Sequence, residues 1–295
     1  MSEGYARFII LSDARTGSNL LQQALNSHSE IVCFREIFNI GVLRPEVGPN
    51  YIDYEVEGWD PENAADIALR KADPAAFLKQ RIFTAHRQQI RAVGFKFHYD
   101  HFWFHPDLLP ALTDDPALKV IHLRRVNQLR MFVSLKLAEL TGEWQRYDDA
   151  KLRQKTLSQR LTPSKLARAV AHPTASIARV RRLLAPVREG PTRVKPALTI
   201  SPEECAEYFA RASHQIEHFR GLFAGHPTAP LTYEDMVSDP QGELRRIQEF
   251  LGVAPEDPSW TSRRQNPEPL RELVANYDEL RAAFAGTAEA GFFEE

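Results

Sequence analysis

An apolar stretch at residues 8–11 leads into a short polar turn and then into an amphipathic stretch at residues 18–27. This order predicts a buried strand, a turn at Gly17 and a helix that starts directly after the turn. The first backbone N–H groups of such a helix lack partners within it, and with the positive end of the helix dipole they favour an anion. The segment therefore predicts an α/β protein with a phosphate cradle near the start of the chain.

The polar turn differs from the loop of nucleotide hydrolases, in which a lysine follows the second glycine of the pattern G-x-x-x-x-G-K-[ST]. Here Gly17 is followed by Ser18 and Asn19, and Arg15 is the only cation in the turn. The turn thus keeps a phosphate-binding layout without the lysine that serves ATP hydrolysis. The residues expected to hold the phosphate are Arg15, Thr16, Gly17, Ser18 and Asn19.

The chain has 295 residues, a formal net charge of −2 and two cysteines. Its length suits one large domain, residues 1–295, and its near-neutral charge argues against a nucleic-acid partner. Cys33 and Cys205 are too isolated for a disulfide framework or a zinc site, so no metal centre is expected. No stretch approaches the roughly 18 to 20 apolar residues that span a bilayer, and residues 1–7 lack the features of a signal peptide. We therefore expect a cytoplasmic protein.

Further apolar stretches alternate with helical patterns along the chain. Strands are predicted at residues 31–34, 92–98, 118–123 and 230–236, and helices at residues 74–89, 124–140, 202–223, 240–251 and 269–284. This alternation indicates a three-layer α/β/α architecture with a mostly parallel central sheet. The polar, aromatic-rich stretch at residues 38–61 is long for a loop within a compact domain, which is typical of a binding loop or lid.

Residues 145–195 are strongly basic, with 13 Lys or Arg against three acidic residues. The region at residues 145–200 is accordingly predicted to be a basic helical insertion or lid. Two interpretations stay open: a solvated helical face, or a surface that meets an acidic substrate, a partner subunit or an anionic membrane in peripheral contact.

A second anion-binding element is predicted at the end of the strand at residues 118–123. Arg124 and Arg125 follow that strand, and Ser134 lies about two and a half turns later on the next helix. Because the carboxyl ends of parallel strands share one edge of the sheet, these side chains are expected to face the same crevice as Arg15. Two anion-binding elements in one crevice indicate a nucleotide that carries a second, separate phosphate.

With these motifs the sequence resembles the PAPS-dependent sulfotransferases, and most closely their bacterial carbohydrate branch, which includes trehalose sulfotransferase and enzymes labelled lipopolysaccharide or nodulation-factor sulfotransferases. The turn with Arg15 is similar to the 5′-phosphosulfate loop of the family, and Arg125 through Ser134 to its 3′-phosphate element. Supporting pieces are residues 35–39, 94–96, 231–252 and 263–266. Two departures are Ala14, where the family often has proline, and the nine-residue separation of Arg125 and Ser134, which leaves Arg124 or Arg125 as the 3′-phosphate ligand.

The resemblance implies a P-loop-type fold and transfer of a sulfuryl group from PAPS to a hydroxyl of a carbohydrate or glycolipid, with PAP as product and no metal. Arg15 and the N–H groups of the turn would stabilise the leaving phosphate. Lys96 would neutralise the sulfuryl oxygens, and Glu36 would be the base that takes the acceptor proton.

Other residues are expected at the edges of the same site. His98 and His101 compete with Glu36 for the role of base, and with Phe38 they are expected to line the acceptor pocket. Arg264 and Gln265 would close over the nucleotide. The family and the basic region leave a homodimer open.

Two other functions compete with sulfuryl transfer. One is an ATP-dependent P-loop kinase of a small molecule, which shares the fold but uses the lysine that is absent here. The other is a non-catalytic nucleotide-binding protein whose cradle serves regulation or assembly.

Overall fold

Five parallel strands form the sheet at the centre of the protein. A computed structural model of the chain describes residues 4–39, 50–54, 56, 58–144, 196–260 and 262–294. Within this part of the chain the strand order is β2-β3-β1-β4-β5, and every neighbouring pair is parallel. The strands are β1 (Ala6–Ser12), β2 (Ile31–Phe34), β3 (Ala92–His98), β4 (Lys119–Arg124) and β5 (Thr228–Thr232).

The helices follow the strands in the alternation that the sequence predicts. They are α1 (Ser18–Asn26), α2 (Ala64–Ala72), α3 (Pro74–Phe77), α4 (His101–Phe104), α5 (Leu108–Thr113), α6 (Gln128–Thr141), α7 (Pro202–Leu222), α8 (Tyr233–Ser238), α9 (Pro240–Leu251), α10 (Leu270–Leu273) and α11 (Tyr277–Ala283). A π-helical turn (Leu78–Ile82) extends α3, and a 3₁₀ helix (Ala288–Phe293) lies near the end of the chain.

Side chains of β1 alternate between two hydrophobic cores, as the pleat of a strand requires. Ile9 and Leu11 are fully buried in a core that also contains residues of α3, α5 and α7. Phe8 and Ile10 are fully buried on the opposite face, against α1 and α9. Helices therefore cover both faces of the sheet, and the predicted three-layer α/β/α architecture is confirmed.

The helix predicted at residues 124–140 begins later than expected. Asn127 caps α6, because its side-chain oxygen accepts a hydrogen bond from the Arg130 backbone N–H. Arg124 is consequently the last residue of β4, and Arg125 lies in the connection between strand and helix. Capping by Asn127 favours this start over one at residue 124.

Three other predicted elements differ in extent. The helix predicted at residues 74–89 ends at Ile82. It is preceded by α2, a helix that the sequence analysis did not predict, and Asp73 separates the two. The strand at residues 230–236 ends at Thr232, which caps α8. The helix at residues 269–284 is divided into α10 and α11, because Val274 is extended and the backbone on either side of it hydrogen-bonds Leu198.

The register of the strands brings the carboxyl ends of β1, β3 and β4 together. Ser12 pairs with His98 on one side and with Leu123 on the other. One strand further along, Phe34 of β2 pairs with Phe95, so Glu36 emerges next to Lys96. The residues that follow these strands therefore share one edge of the sheet.

No helix among the described residues is long and apolar enough to cross a membrane. The basic region at residues 145–195 and, from the expected loop at residues 38–61, residues 40–49, 55 and 57 lie outside the described residues.

Candidate active site

A cavity opens at the carboxyl edge of the sheet, where α1 begins. Residues of the turn before α1, of β3, of α6 and of the loop before α10 face it. Its lining contains Ala14, Arg15, Gly17, Ser18, Asn19, Leu20, Glu36, Asn39, Lys96, His98, Asp100, His101, Phe104, Arg125, Arg130, Val133, Ser134, Trp144, Tyr233, Ser262, Arg263, Arg264, Gln265, Asn266, Leu270 and Leu273. The two predicted anion-binding elements thus belong to one cavity.

The turn before α1 has a backbone conformation that suits a cradle. Gly17 has a φ of 87° and Arg15 a φ of 66°, both in the left-handed region. No side chain in the described part of the chain caps the amino end of α1. A Cβ at Gly17 would lie 2.5 Å from the Tyr233 ring, so glycine is required there both for its φ and for space. The uncapped start of α1 therefore faces the cavity, as expected for an anion site.

The Arg15 side chain reaches away from its own turn. Its Nε donates a hydrogen bond to the Ser134 Oγ at 2.9 Å, one Nη donates to the Trp144 carbonyl at 2.9 Å, and the other donates to the Gln265 side chain. Burial, followed by the nearby Arg125, lowers the pKa of Arg15 to about 10, which leaves it charged at neutral pH. Arg15 therefore connects the turn to the element that the sequence assigns to the second phosphate.

Arg125 and Arg124 differ in their positions. Arg125 lies against the cavity with its guanidinium 4.4 Å from the centre of the Tyr233 ring, and it donates to the Arg15 carbonyl at 3.3 Å. Its buried Nε has no hydrogen-bond partner among the described residues, although Glu234 lies 3.9 Å away. Arg124 is absent from the described lining of the cavity. A buried N–H group without an acceptor favours Arg125 over Arg124 as a phosphate ligand.

Glu36 and Lys96 form a buried ion pair at the base of the cavity. The Lys96 Nζ lies 2.8 Å from the Glu36 Oε1, and the two side chains are 0% and 8% exposed. The same ammonium donates to the Asn19 side chain, and the Asn39 amide donates to the Glu36 Oε2 at 2.8 Å. Lys96 thus contacts both the first turn of α1 and the proposed base.

The charges of this pair depend on opposing effects. Burial alone would raise the pKa of Glu36, but Lys96 and, to a lesser extent, Arg35 hold that pKa well below its ordinary value. Burial lowers the pKa of Lys96, against the raising effect of Glu36. In the free protein Glu36 is therefore ionised and is a weak proton acceptor.

The two histidines beyond β3 are neutral. Burial lowers the pKa of His98 to about 4 and also lowers the pKa of His101. The His98 Nε2 lies 3.3 Å from the Ser18 Oγ, and the two imidazoles stack with their centres 5.3 Å apart. Neutral rings suit hydrogen bonding with an acceptor hydroxyl better than they suit binding of an anion.

The same histidines and Glu36 also bear on the expectation of no metal site. Glu36, His98 and His101 each offer a potential ligand atom within 4.8 Å of the others, a grouping that the sequence did not indicate. The ammonium of Lys96, however, is already bonded to Glu36. Its positive charge opposes a second cation at this point.

Two predicted site residues face away from the cavity. The Thr16 side chain is buried and donates to the Asp13 carbonyl, which leaves only its backbone for a ligand. Phe38, expected in the acceptor pocket, is fully buried among Phe77, Phe95 and Phe97. The prediction for Phe38 is therefore wrong: its ring packs in the core because the aromatic side chains of β3 enclose it.

Several lining residues were not among the predicted site residues. Arg130 lies four residues before Ser134 on α6, so both occupy one helix face, and this spacing was a usable signal. The Asn266 side chain donates to the Ser134 Oγ at 3.0 Å. Asp100 carries no comparable signal, because a single carboxylate after a strand has many structural roles. Arg264 and Gln265, by contrast, were predicted and line the cavity.

Several known proteins are similar to this chain. The sequence profile of the family described as "Sulfotransferase family" matches residues 7–257. The chain is 25% identical over 289 residues to nodulation protein H of Rhizobium tropici, covering 97% of this chain and 92% of the relative. It is 23% identical over 290 residues to nodulation protein H of Rhizobium meliloti strain 1021, covering 97% and 94%. A crystal structure of a sulfotransferase from Alicyclobacillus acidocaldarius matches with a TM-score of 0.45 and 18% identity, covering 96% of this chain and 93% of that one.

The match of the family profile to residues 7–257 covers most of the chain and therefore defines the class of protein. The chain belongs to the sulfotransferase family, as its sequence motifs predict, and is a transferase.

Proposed function

We propose that the protein transfers a sulfuryl group from PAPS to a hydroxyl of a carbohydrate or glycolipid. The observation that carries the proposal is the meeting of two anion-binding elements with a buried carboxylate and ammonium in one cavity. The family membership and the similarity to nodulation protein H support it further.

The first part of the proposed mechanism is binding of the two phosphates of the donor. The N–H groups of residues 16–19 would hold the 5′-phosphosulfate, since the start of α1 is uncapped. Arg125 and Ser134 would hold the 3′-phosphate through charge-assisted hydrogen bonds. Arg15 has its backbone in the first element and its guanidinium on Ser134, so it would link the two.

The second part is the transfer itself. The bond between sulfur and the bridging oxygen of the donor breaks, a bond between sulfur and the acceptor oxygen forms, and the acceptor proton passes to Glu36. The leaving phosphate would be stabilised by the donors of the turn, which need no reorganisation during the reaction. A positioned base is worth roughly 10²–10⁴ in rate for an acceptor as weakly acidic as a sugar hydroxyl.

The ion pair of Glu36 and Lys96 suggests an order for these steps. While Lys96 is bonded to Glu36, the proton affinity of the carboxylate is low. Sulfuryl oxygens in the cavity would compete for the Lys96 ammonium, which already donates a hydrogen bond to Asn19 in the first turn of α1. As the ammonium turns toward the donor, the proton affinity of Glu36 rises, so donor binding would prepare the base.

A kinase and a non-catalytic nucleotide-binding protein make different predictions for ligand binding. We expect PAP to stabilise the protein in thermal-shift titrations, by about 2.7 kcal/mol at 100 times its dissociation constant, and ATP and ADP to have much smaller effects. Strong stabilisation by ATP without an effect of PAP would refute the sulfotransferase proposal. As a matched pair, Arg125→Lys should weaken PAP binding, whereas Arg124→Lys should leave it unchanged.

Catalysis is tested by incubation with [³⁵S]PAPS and a panel of saccharides, glycolipids and small alcohols. We expect Glu36→Gln to lower kcat by roughly 10²–10⁴ while PAP affinity stays within about threefold. Glutamine retains an oxygen that can accept the bond from Lys96, so the cavity should keep its shape. Unchanged turnover in this variant would move the role of base to His98 or His101.

A further inference from the structure

The short helix α4 is held in place by its first two residues. His101 is buried and stacks on His98, and Phe102 packs against Phe97 and Phe219 with ring centres 4.4 and 4.8 Å apart. Since successive residues of a helix are rotated by about 100°, Phe104 lies on the same side of α4 as His101, and Trp103 lies on the opposite side. Anchoring of α4 therefore fixes the direction of Trp103 and Phe104.

Trp103 and Phe104 lie at the surface, which is unusual for large aromatic side chains. Trp103 is 78% exposed and Phe104 is 40% exposed, and Phe104 lines the same cavity as Glu36. Neither ring is needed to hold α4, because His101 and Phe102 do so. Trp103 is absent from the described lining of that cavity, whereas the half-exposed Phe104 ring at its mouth provides an apolar surface for a ligand.

Asp100 lies directly before α4 and also faces the cavity. It occupies the N-cap position of α4, yet its side chain makes no capping hydrogen bond. Its Oδ1 is buried and has no hydrogen-bond partner among the described residues. A buried carboxylate oxygen without a donor is costly, so a bound group that donates a hydrogen bond would be favoured there.

We propose that Asp100 and Phe104 form a subsite for a sugar ring of the acceptor. This inference rests on the proposed function and specifies the ligand of its acceptor side. Asp100 accepts a hydrogen bond from a ring hydroxyl, and Phe104 packs against the C–H face of the ring. A neighbouring hydroxyl then lies toward Glu36 and the neutral imidazoles of His98 and His101, which line the same cavity.

The combination of groups distinguishes a sugar from other acceptors. A long alcohol or an acyl chain would use the apolar surface of Phe104 but would leave Asp100 without a donor. A phenol has a single hydroxyl, which must face Glu36 to react, and so it too leaves Asp100 unpaired. A sugar ring has both an apolar face and several hydroxyls, and it satisfies both features at once.

The test is isothermal titration of trehalose, N-acetylchitotetraose, 2-naphthol and 1-octanol into the full-length protein, with and without saturating PAP. We expect at least one saccharide to bind, and Asp100→Ala to weaken its binding about tenfold. Phe104→Ala should weaken it about fivefold, and Phe104→Tyr, which keeps an aromatic ring, should restore part of the loss. Trp103→Ala removes a ring that is 78% exposed and absent from the described lining of the cavity, and it should change the affinity less than twofold.

The outcomes separate this inference from the proposed function. Saccharide binding that is unaffected by Asp100→Ala and Phe104→Ala would overturn the subsite, and so would tighter binding of 2-naphthol or 1-octanol than of both saccharides. Failure of PAP to bind would instead refute the sulfotransferase proposal, and the titrations without PAP would still decide on the subsite. Circular dichroism of each variant checks that its fold is intact.

Discussion

The Arg15 Nε donates a hydrogen bond to the Ser134 Oγ at 2.9 Å, although the two residues are 119 positions apart in the chain. One residue belongs to the turn after β1 and the other to the second turn of α6. Because Asn266 also donates to the same oxygen, Ser134 is the point where three distant segments meet. The two anion-binding elements are thus connected before any ligand is present.

The first prediction concerns the three hydrogen bonds that the planar Arg15 guanidinium donates. Arg15→Lys keeps the positive charge but removes the planar arrangement that contacts Ser134, Trp144 and Gln265 together. We expect the dissociation constant of PAP to increase about tenfold or more, measured by isothermal titration. Arg124→Lys makes the same chemical change outside the cavity lining and serves as the control. Equal PAP affinity of the two variants would contradict a role for Arg15 in binding.

Much of the fold could be predicted because its signals are local. The apolar strands, the turn at Gly17 and the capping box of Ser201 and Glu204 at the start of α7 are each encoded in a few consecutive residues, and the structure confirms them. The break between α10 and α11 could not be predicted in this way. It depends on backbone hydrogen bonds to Leu198, which lies more than 70 residues earlier.

The site shows the same division between local and distant signals. The turn with Arg15 follows from its sequence pattern, whereas the position of Phe38 depends on which rings of β3 surround it. The sequence places Arg124 and Arg125 equally well at the end of a strand. Which of the two faces the cavity depends on the residue at which β4 ends and on the helix cap at Asn127.

A second prediction tests the requirement for glycine at position 17. Gly17→Ala introduces a Cβ that is strained at a φ of 87° and lies 2.5 Å from the Tyr233 ring, on which Arg125 rests. Gly252→Ala imposes the strain alone, because the atom nearest to its new Cβ would be the flexible Lys119 Nζ at 4.0 Å. We expect Gly252→Ala to cost about 1 kcal/mol of unfolding free energy and Gly17→Ala clearly more. Only Gly17→Ala should also weaken PAP binding.

A third prediction concerns the buried pair of Glu36 and Lys96. In Lys96→Met the carboxylate loses its main counter-charge, so burial would raise the pKa of Glu36 above its ordinary value. We expect a loss of about 3–5 kcal/mol of unfolding free energy at pH 7.5, measured by denaturant titration. With a raised folded-state pKa the loss should diminish as the pH falls toward 5 and Glu36 takes up a proton.

The double variant Glu36→Gln with Lys96→Met provides the control for that prediction. Both charges are absent, so its unfolding free energy should exceed that of Lys96→Met at pH 7.5 and should vary less with pH over the same range. If the single and double variants were equally stable at pH 7.5, the ion pair would not be the source of the effect.

The final prediction concerns Asp13, next to the turn that holds Arg15. Burial, aided by the negative charge of Asp100, raises the pKa of Asp13 from 3.8 to about 6, although the Ala14 N–H bonded to its carboxylate acts in the opposite direction. A raised folded-state pKa means that ionised Asp13 destabilises the fold. Its effect is absent below about pH 4 and grows as the pH rises through 6.

We therefore expect Asp13→Asn to increase the unfolding free energy at pH 7 by about 2 kcal/mol, somewhat less than the full shift would give because the side chain keeps some solvent contact. Denaturant titrations of both proteins at pH 4 and 7 measure the difference, and exposed Asp114→Asn is the control. A gain of equal size at pH 4 would show that the benefit does not come from removing the charge of Asp13.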